Sequence, residues 1–273
     1  MLRLIGNLLR AVVFGTGKSA LVVRRDKRRM FASRRKYEYL PPRRTLHVLL
    51  AAALATGASA GAEEAFIAAL GSFSTVYEGL GEERAGNIEK AASALNGIIL
   101  KAGQTFSFNA TLGRRDIDSG YDPAPAFIYG ELEPTPGGGV CQVSSTLYNA
   151  ALLSGFAILE RHRHSQPVPY LPAGRDATVS YGSLDLRFRN PHDMPVKLVA
   201  EARDGRLSFA FLAPRPLATR YQLRSRSVRE SDPDPGARPA EQVVVERLTL
   251  EGGKVVKIET VSRDRYPALA SRP

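Results

Sequence analysis

The feature that most constrains this chain is a glycine-rich entry into one apolar helical stretch, residues 136–155. Three consecutive glycines stand just before Cys141, the only cysteine among the 273 residues. From Val140 onward the apolar residues recur at close to helical spacing, and Gly155 is typical of a helix end. The pattern predicts a buried helix with Cys141 in its first turn, where free N–H groups and the helix dipole lower the pKa of a thiol.

A cysteine in this position has two interpretations. It is either a nucleophile or a small packing residue, because free cysteine is among the most buried residue types. A nucleophilic thiol needs a base and a carboxylate that orients the base. Downstream of the predicted helix the sequence offers candidates for both roles, His162, His164, Asp176 and Asp185.

Six separate blocks of the chain resemble the VanW family, which is named for an accessory protein of vancomycin-resistance clusters. The blocks are GGGVCQVSSTLYNA at 137–150, FSFN at 106–109, GY at 120–121, ERHRHS at 160–165, GRDATV at 174–179 and DLRFRN at 185–190. They fall within about residues 73–200. The resemblance implies a role in the cell envelope, outside the cytoplasm.

The remaining patterns predict an α+β fold in which an antiparallel sheet packs against the helix that carries Cys141. A second helix is predicted over 87–97, with Asn87 as its N-cap, and 114–130 is predicted to be an ordered loop. Predicted strands are 72–77, 104–108, 157–163, 177–181, 184–188, 196–202, 207–212, 242–250 and 254–262. The last two form either a small β appendage or the final strands of the main sheet.

The charge of the chain is unevenly distributed. Residues 1–44 hold 13 basic and two acidic side chains, which accounts for the whole net charge of +11. The domain itself therefore gives no reason to expect a nucleic-acid partner. An apolar run at 46–62 follows the basic block and predicts an export signal or an anchor in the cytoplasmic membrane. We expect a cell-envelope protein that is either membrane-anchored or secreted.

Composition divides the chain into three regions. Residues 1–62 are predicted to be a basic tail with a hydrophobic signal or anchor segment, 63–215 a VanW-like α+β domain, and 216–273 a C-terminal β extension. With one cysteine, no internal disulfide is possible. Two histidines and a carboxylate could hold zinc, but the second cysteine or helical His-x-x-x-His of zinc sites is lacking, so we expect neither a metal nor a cofactor.

The order of these residues resembles that of papain-like and transglutaminase-like thiol enzymes, in which cysteine opens a helix packed on a histidine-bearing sheet. On this interpretation Cys141 attacks an amide of a peptidoglycan peptide, His164 or His162 is the base, and Asp176 or Asp185 orients the base. The predicted substrate-binding residues are Gly138, Gly139, Gln142, Ser144, Ser145, Tyr148 and Arg175. The alternative is a module that binds cell-wall peptide or glycan without catalysis, in which Cys141 only packs.

Overall fold

The computed structural model describes residues 65–128, 131–229 and 240–268. The basic tail and the apolar run predicted to be a signal or anchor lie outside these residues. Within the described ranges, no helix is long and apolar enough to cross a membrane.

The described chain contains three helices and twelve strands. The helices are α1 (Glu82–Leu95), α2 (Phe108–Leu112) and α3 (Val140–Leu153). The strands are β1 (Ala68–Val76), β2 (Ile99–Leu100), β3 (Thr105–Ser107), β4 (Pro123–Ile128), β5 (Glu131–Pro136), β6 (Ala157–Glu160), β7 (Arg187–Arg189), β8 (Val196–Arg203), β9 (Arg206–Ala213), β10 (Thr219–Arg229), β11 (Glu241–Glu251) and β12 (Lys254–Tyr266).

All strand pairs between these elements are antiparallel. A four-stranded sheet has the order β1-β9-β8-β2, two three-stranded sheets have the orders β3-β7-β6 and β10-β11-β12, and β4 pairs with β5. The fold is therefore mixed α+β with antiparallel sheets, as predicted. The last two predicted strands are confirmed as the hairpin of β11 and β12. Among the described strands, β11 pairs with β12 on one side and with β10 on the other, so the three form a sheet of their own.

The helix α3 packs against β1 and β9 and lies beside α1. Nearly all of its residues are buried, because apolar and small side chains surround it on every face. Beyond its C-terminal end, Phe156 meets Phe188 and Phe211 at ring-centroid distances of 5.3 and 4.4 Å. This burial fixes the position of α3, and with it the position of Cys141 at its first turn.

Three local predictions were wrong. Residues 123–128 form β4 rather than part of a loop, because their prolines occupy a two-stranded ribbon in which each strand is an edge. The predicted strands 177–181 and 184–188 are reduced to single bridges and the short β7. The helix α1 starts at Glu82, since Asn87 is buried and its amide donates to the carbonyls of Asp122 and Gly138 instead of capping.

The C-terminal sheet (β10, β11 and β12) packs on the end of α3. Arg247 of β11 donates to the carbonyl oxygen of Phe156 at 2.7 Å and also pairs with Glu259 of β12. The ring of Tyr221 lies so close to Gly155 that a Cβ there would come within 2.4 Å of it. These contacts join the C-terminal sheet to the helix that carries the cysteine.

Candidate active site

The entry to α3 depends on glycine at two positions. A Cβ on Gly138 would lie 2.2 Å from the carbonyl oxygen of Ala124 in β4, a distance that no side chain can occupy. Gly139, the N-cap of α3, has a φ of 107°, which side chains disfavour. The two glycines therefore let the chain turn tightly against β4 and present Cys141 as the second residue of α3. Both positions were predicted to bind substrate, and the structure gives both a clear role in the turn.

Cys141 is partly exposed and lies against the apolar core. Its Sγ is 3.6 Å from Thr178 Oγ1 and 3.6 Å from the carbonyl oxygen of Val179. The backbone N–H groups of Val140 and Gln142 donate to the glycine turn. The Cys141 N–H has no backbone acceptor within the described chain, as expected in the first turn of a helix.

His164 and Asp176 form a buried pair beside this thiol. Oδ2 of Asp176 lies 2.6 Å from His164 Nδ1 and also accepts the backbone N–H of His164 at 2.6 Å. The side chains of His164 and Asp176 are 13% and 1% exposed. Nδ1 is directed at Asp176, so the Nε2 edge of the imidazole does not take part in that bond, and the charge of His164 acts on the neighbouring Cys141.

The other oxygen of Asp176 is held by two residues from distant parts of the chain. Oδ1 accepts from Tyr266 Oη at 2.9 Å and from Arg161 Nη2 at 3.1 Å. Arg161 Nη1 also binds both oxygens of Asp264, at 2.7 and 2.8 Å. Burial raises the pKa of Tyr266, so its hydroxyl stays protonated and donates. The carboxylate of Asp176 is thus oriented on both sides.

The pKa values of the three groups are coupled. Burial raises the pKa of the Cys141 thiol, but the hydrogen bond and charge of His164 outweigh burial and lower the pKa to about 7. Burial likewise opposes the imidazolium, yet Asp176 and Cys141 raise the pKa of His164 to about 9. Burial opposes ionisation of Asp176, whose pKa is nevertheless lowered by His164 and Arg161. Between about pH 7 and 9 the pair is therefore a thiolate and an imidazolium.

A pocket of about 220 Å³ lies next to the pair. His164 and Thr178 line it, together with Arg163, Ser165, Gln166, Pro167, Val168 and Leu184. Since Thr178 also contacts the sulfur, part of a bound molecule in this pocket would lie close to Cys141.

The other two predicted catalytic residues lie elsewhere. His162 Nε2 is 3.0 Å from Glu160 Oε1, and its side chain is 38% exposed. Asp185 accepts from Ser107 Oγ at 2.5 Å and from the backbone N–H of Asn109 at 2.8 Å, where it stabilises the start of α2. The structure therefore places His164 and Asp176, and not His162 or Asp185, beside the thiol.

The predicted substrate-binding side chains on α3 are buried, so they support the site from behind. Ser144 and Ser145 both donate to the carbonyl oxygen of Ala177, and the backbone N–H of Ala177 donates to Ser145 Oγ. These bonds hold the segment between Asp176 and Thr178 against the helix. Gln142 is fully buried and donates to β1 through Thr75 Oγ1 and Val76 O.

Two further residues of the predicted substrate-binding set also support α3. Tyr148 is completely buried, and the guanidinium of Arg161 lies over its ring at 5.6 Å. Arg175 donates to Asn149 Oδ1 at 2.6 Å, and its guanidinium lies over the ring of Phe73 at 4.9 Å. The residues that sequence patterns missed are Arg161, Thr178, Asp264 and Tyr266. Arg161 and Thr178 stand inside blocks that drew attention, ERHRHS and GRDATV, whereas Asp264 and Tyr266 lie outside all six blocks.

The site has no arrangement suited to a metal ion. Among the residues that the structure describes, no three or more His, Cys, Asp or Glu side chains are grouped so that they could hold one.

The geometry can be compared with known proteins. The family model described as VanW like protein matches residues 83–212. This part of the chain is similar to the VanW family. Over 136 residues the chain is 42% identical to the uncharacterized protein YoaR of Bacillus subtilis (strain 168), a stretch covering 50% of this chain and 45% of YoaR.

A second relative is the vancomycin B-type resistance protein VanW of Enterococcus faecalis (strain ATCC 700802 / V583). It is 29% identical over 161 residues, 57% of this chain and 58% of that protein. The match thus spans about half the length of each relative. No solved structure matches the chain. The matched residues 83–212 include Cys141, His164 and Asp176, whereas Asp264 and Tyr266 follow them in the sequence.

Proposed function

We propose that this chain is a cell-envelope protein, exported or membrane-anchored, whose Cys141 hydrolyses or transfers an amide of peptidoglycan peptides. The observation that carries the proposal is the Cys141–His164–Asp176 cluster, in which a buried, fourfold hydrogen-bonded carboxylate orients a histidine beside a thiol. A packing cysteine needs no such partners. Strongly shifted pKa values of grouped titratable residues are typical of catalytic sites.

The location rests on two supports, and the chemistry has one further support. The basic block followed by the apolar run 46–62 is typical of export or anchoring. Residues 83–212 match the VanW family model, and one relative is named a vancomycin B-type resistance protein, which supports a role in the cell envelope. The architecture, with cysteine opening a helix and histidine following it, supports a thiol hydrolase or transferase by analogy.

The proposed reaction begins with the thiolate of Cys141 attacking the amide carbonyl carbon, which forms an S–C bond. The Cys141 N–H stabilises the oxyanion that develops. The C–N bond then breaks as the imidazolium of His164 gives its proton to the leaving nitrogen. Water or an amine attacks the thioester carbon and His164 takes a proton from that nucleophile, after which the C–S bond breaks and the thiolate of Cys141 is released beside the imidazolium. Asp176 holds the imidazole orientation throughout. Contacts of this kind often tighten only when substrate binds.

The test compares wild type with Cys141→Ser in two measurements. We expect the variant to lose release or exchange of stem-peptide fragments from isolated cell wall while its melting temperature stays within a few degrees, because Ser fits the space. The matched control is Thr178→Ser, which changes a neighbour of the sulfur without removing its hydroxyl. A Cys141→Ser strain with wild-type wall composition, where deletion of the gene alters it, would contradict catalysis.

The second candidate function is a binding module for cell-wall peptide or glycan. The contact of Cys141 with the apolar core favours it, because such a thiol also acts as a small packing residue. Alkylation of Cys141 across pH separates the two: a thiol that titrates at or above its ordinary pKa of about 9 leaves only the binding module.

A further inference from the structure

Two arginines lie against the glycine turn that leads into Cys141. A Cβ on Gly139 would be 3.1 Å from Cγ of Arg84, which stands on α1. A Cβ on Gly137 would be 2.9 Å from Cβ of Arg115, which stands in the loop after α2. Two separate elements of the fold therefore bring a cation to the same turn.

Neither guanidinium has a carboxylate within 4.0 Å in the described ranges. Arg84 donates to the carbonyl oxygen of Pro125 at 2.9 Å and to Gln142 Oε1 at 3.3 Å. Its Nε is buried without a hydrogen-bond partner among the residues described. Arg115 Nη1 donates to Asn109 Oδ1 and to the carbonyl oxygen of Gly113, both at 2.8 Å. All of these acceptors are neutral.

This lack of compensation is costly, since a partly buried charge is stable only when it is paired. Two other buried guanidiniums of the described chain are paired with acids: Arg161 binds two carboxylates, and Arg247 binds Glu259. Burial lowers the pKa of Arg84 and of Arg115, and the charge of Cys141 partly offsets burial for both. Asp185 acts on Arg115 only at longer range and more weakly than Cys141.

We propose that Arg84 and Arg115 form a carboxylate-binding subsite beside Cys141, so that the substrate is a peptide with a free carboxylate next to the amide that reacts. The inference rests on the proposed function and names its substrate class. A guanidinium binds a carboxylate through two parallel N–H donors, and the buried Nε of Arg84 lacks a hydrogen-bond partner among the residues described, which a substrate carboxylate would supply. Neither arginine lines the pocket next to His164, so the subsite and the pocket would hold different parts of the substrate.

The test uses two small alkylating agents on the purified full-length chain. Iodoacetate carries a carboxylate next to its reacting carbon, and iodoacetamide is its neutral counterpart. The ratio of the iodoacetate rate to the iodoacetamide rate cancels the reactivity of the thiolate, because the thiolate attacks both reagents. We expect this ratio to exceed that of a free cysteine peptide by about tenfold, and to fall as salt screens the charges.

The substitutions Arg84→Gln and Arg115→Gln should each lower the ratio by roughly three- to tenfold, and the double variant by more. If Arg84→Gln fails to fold, Arg84→Lys keeps the charge and should retain part of the preference. The matched control is Arg114→Gln. Arg114 adjoins Arg115 and also faces the Tyr181 ring, but it is exposed and paired with Asp116, so the ratio should stay unchanged.

The outcomes separate the two proposals. A thiol inert to both reagents contradicts the proposed function. A reactive thiol whose rates with both reagents fall equally in the arginine variants contradicts the subsite alone, because the arginines would then act only on the thiolate. A tenfold ratio that survives the double variant also contradicts the subsite.

Discussion

The chain has two histidine–carboxylate pairs whose histidines are two residues apart. The pairs differ in almost every physical respect. His164 and Asp176 are 2.6 Å apart with side chains 13% and 1% exposed, whereas His162 and Glu160 are 3.0 Å apart and 38% and 30% exposed. The buried carboxylate is held by Arg161 and Tyr266 as well. The exposed carboxylate, that of Glu160, has Arg187 beside it at 3.8 Å.

The comparison teaches that residue type and spacing do not decide which histidine works with the thiol. A charge pair is stronger where water is excluded, and weak where solvent screens it. Burial also orients the imidazole, because its Nδ1 donor is excluded from water and must meet the carboxylate of Asp176. Only His164 combines that environment with contact to Cys141.

The largest expected difference between the pairs is in thiol reactivity. Replacing His164 by Ala removes the group that lowers the pKa of Cys141 while burial remains, so the rate of iodoacetamide alkylation at pH 7 should fall by roughly 100-fold. His162→Ala is the matched control and should change the rate by less than about twofold. Equal effects of the two variants would break the comparison.

The next difference is in stability. Asp176→Asn leaves Arg161 and Tyr266 facing a weaker acceptor in a buried site, and should cost about 3 kcal/mol of unfolding free energy. Glu160→Gln removes an exposed partner and should cost less than about 1 kcal/mol. Urea unfolding of both variants at pH 7 measures the contrast. A Glu160→Gln variant that is destabilised as much as Asp176→Asn would refute the role given to burial.

These two contrasts also mark what could be predicted from sequence. The glycine turn and the start of α3 were predictable because glycine torsions and helical spacing are local properties. The strands β8 and β9 were predictable because β-branched and alternating residues flank Asp204 and Gly205. For the site, the sequence named the right residue types but left two histidines and two aspartates as alternatives.

The remaining features depend on contacts between distant residues. Nothing near Tyr266 or Asp264 indicates that their strand reaches Asp176, since they lie 90 and 88 residues after it. The hairpin of β4 and β5 was missed because proline disfavours strands except at edges, and this ribbon consists of edges. Burial, which decides between His162 and His164, is a property of the folded chain.

The pH dependence of Cys141 alkylation is expected to show a smaller effect than the His164→Ala substitution. With its pKa lowered to about 7, Cys141 should reach half-maximal alkylation near pH 7 rather than near its ordinary value of about 9, so its rate rises several-fold between pH 6 and 8.

Because the pKa of His164 is raised to about 9, its contribution to stability is fully present below its ordinary 6.5 and is lost as pH rises through 9. Peptide release should therefore peak between pH 7 and 9. A profile that only rises to pH 10 would contradict the ion pair.

The smallest expected effect comes from the C-terminal sheet. Tyr266→Phe removes one donor from Asp176 at about 1 kcal/mol, so alkylation at pH 7 should slow by roughly two- to fivefold as the pKa of Cys141 rises. Tyr221→Phe is the matched control, because its hydroxyl contacts Thr219 in the same sheet and not the site. If both variants behave alike, the loss reflects packing of the sheet rather than orientation of Asp176.

The contact between Tyr266 and Asp176 also affects when, during folding, the thiol of Cys141 becomes reactive. Ninety residues separate the two, and closing so long a loop places the contact late in folding. We expect the thiol of a newly made chain to stay sluggish until β12 docks, which would spare a half-folded chain from oxidation and misdirected acylation. Pulses of iodoacetamide during refolding measure this, and a thiol reactive from the first collapse onward would argue against it. Docking of β12 would then be the folding step that makes Cys141, in the first turn of α3, reactive.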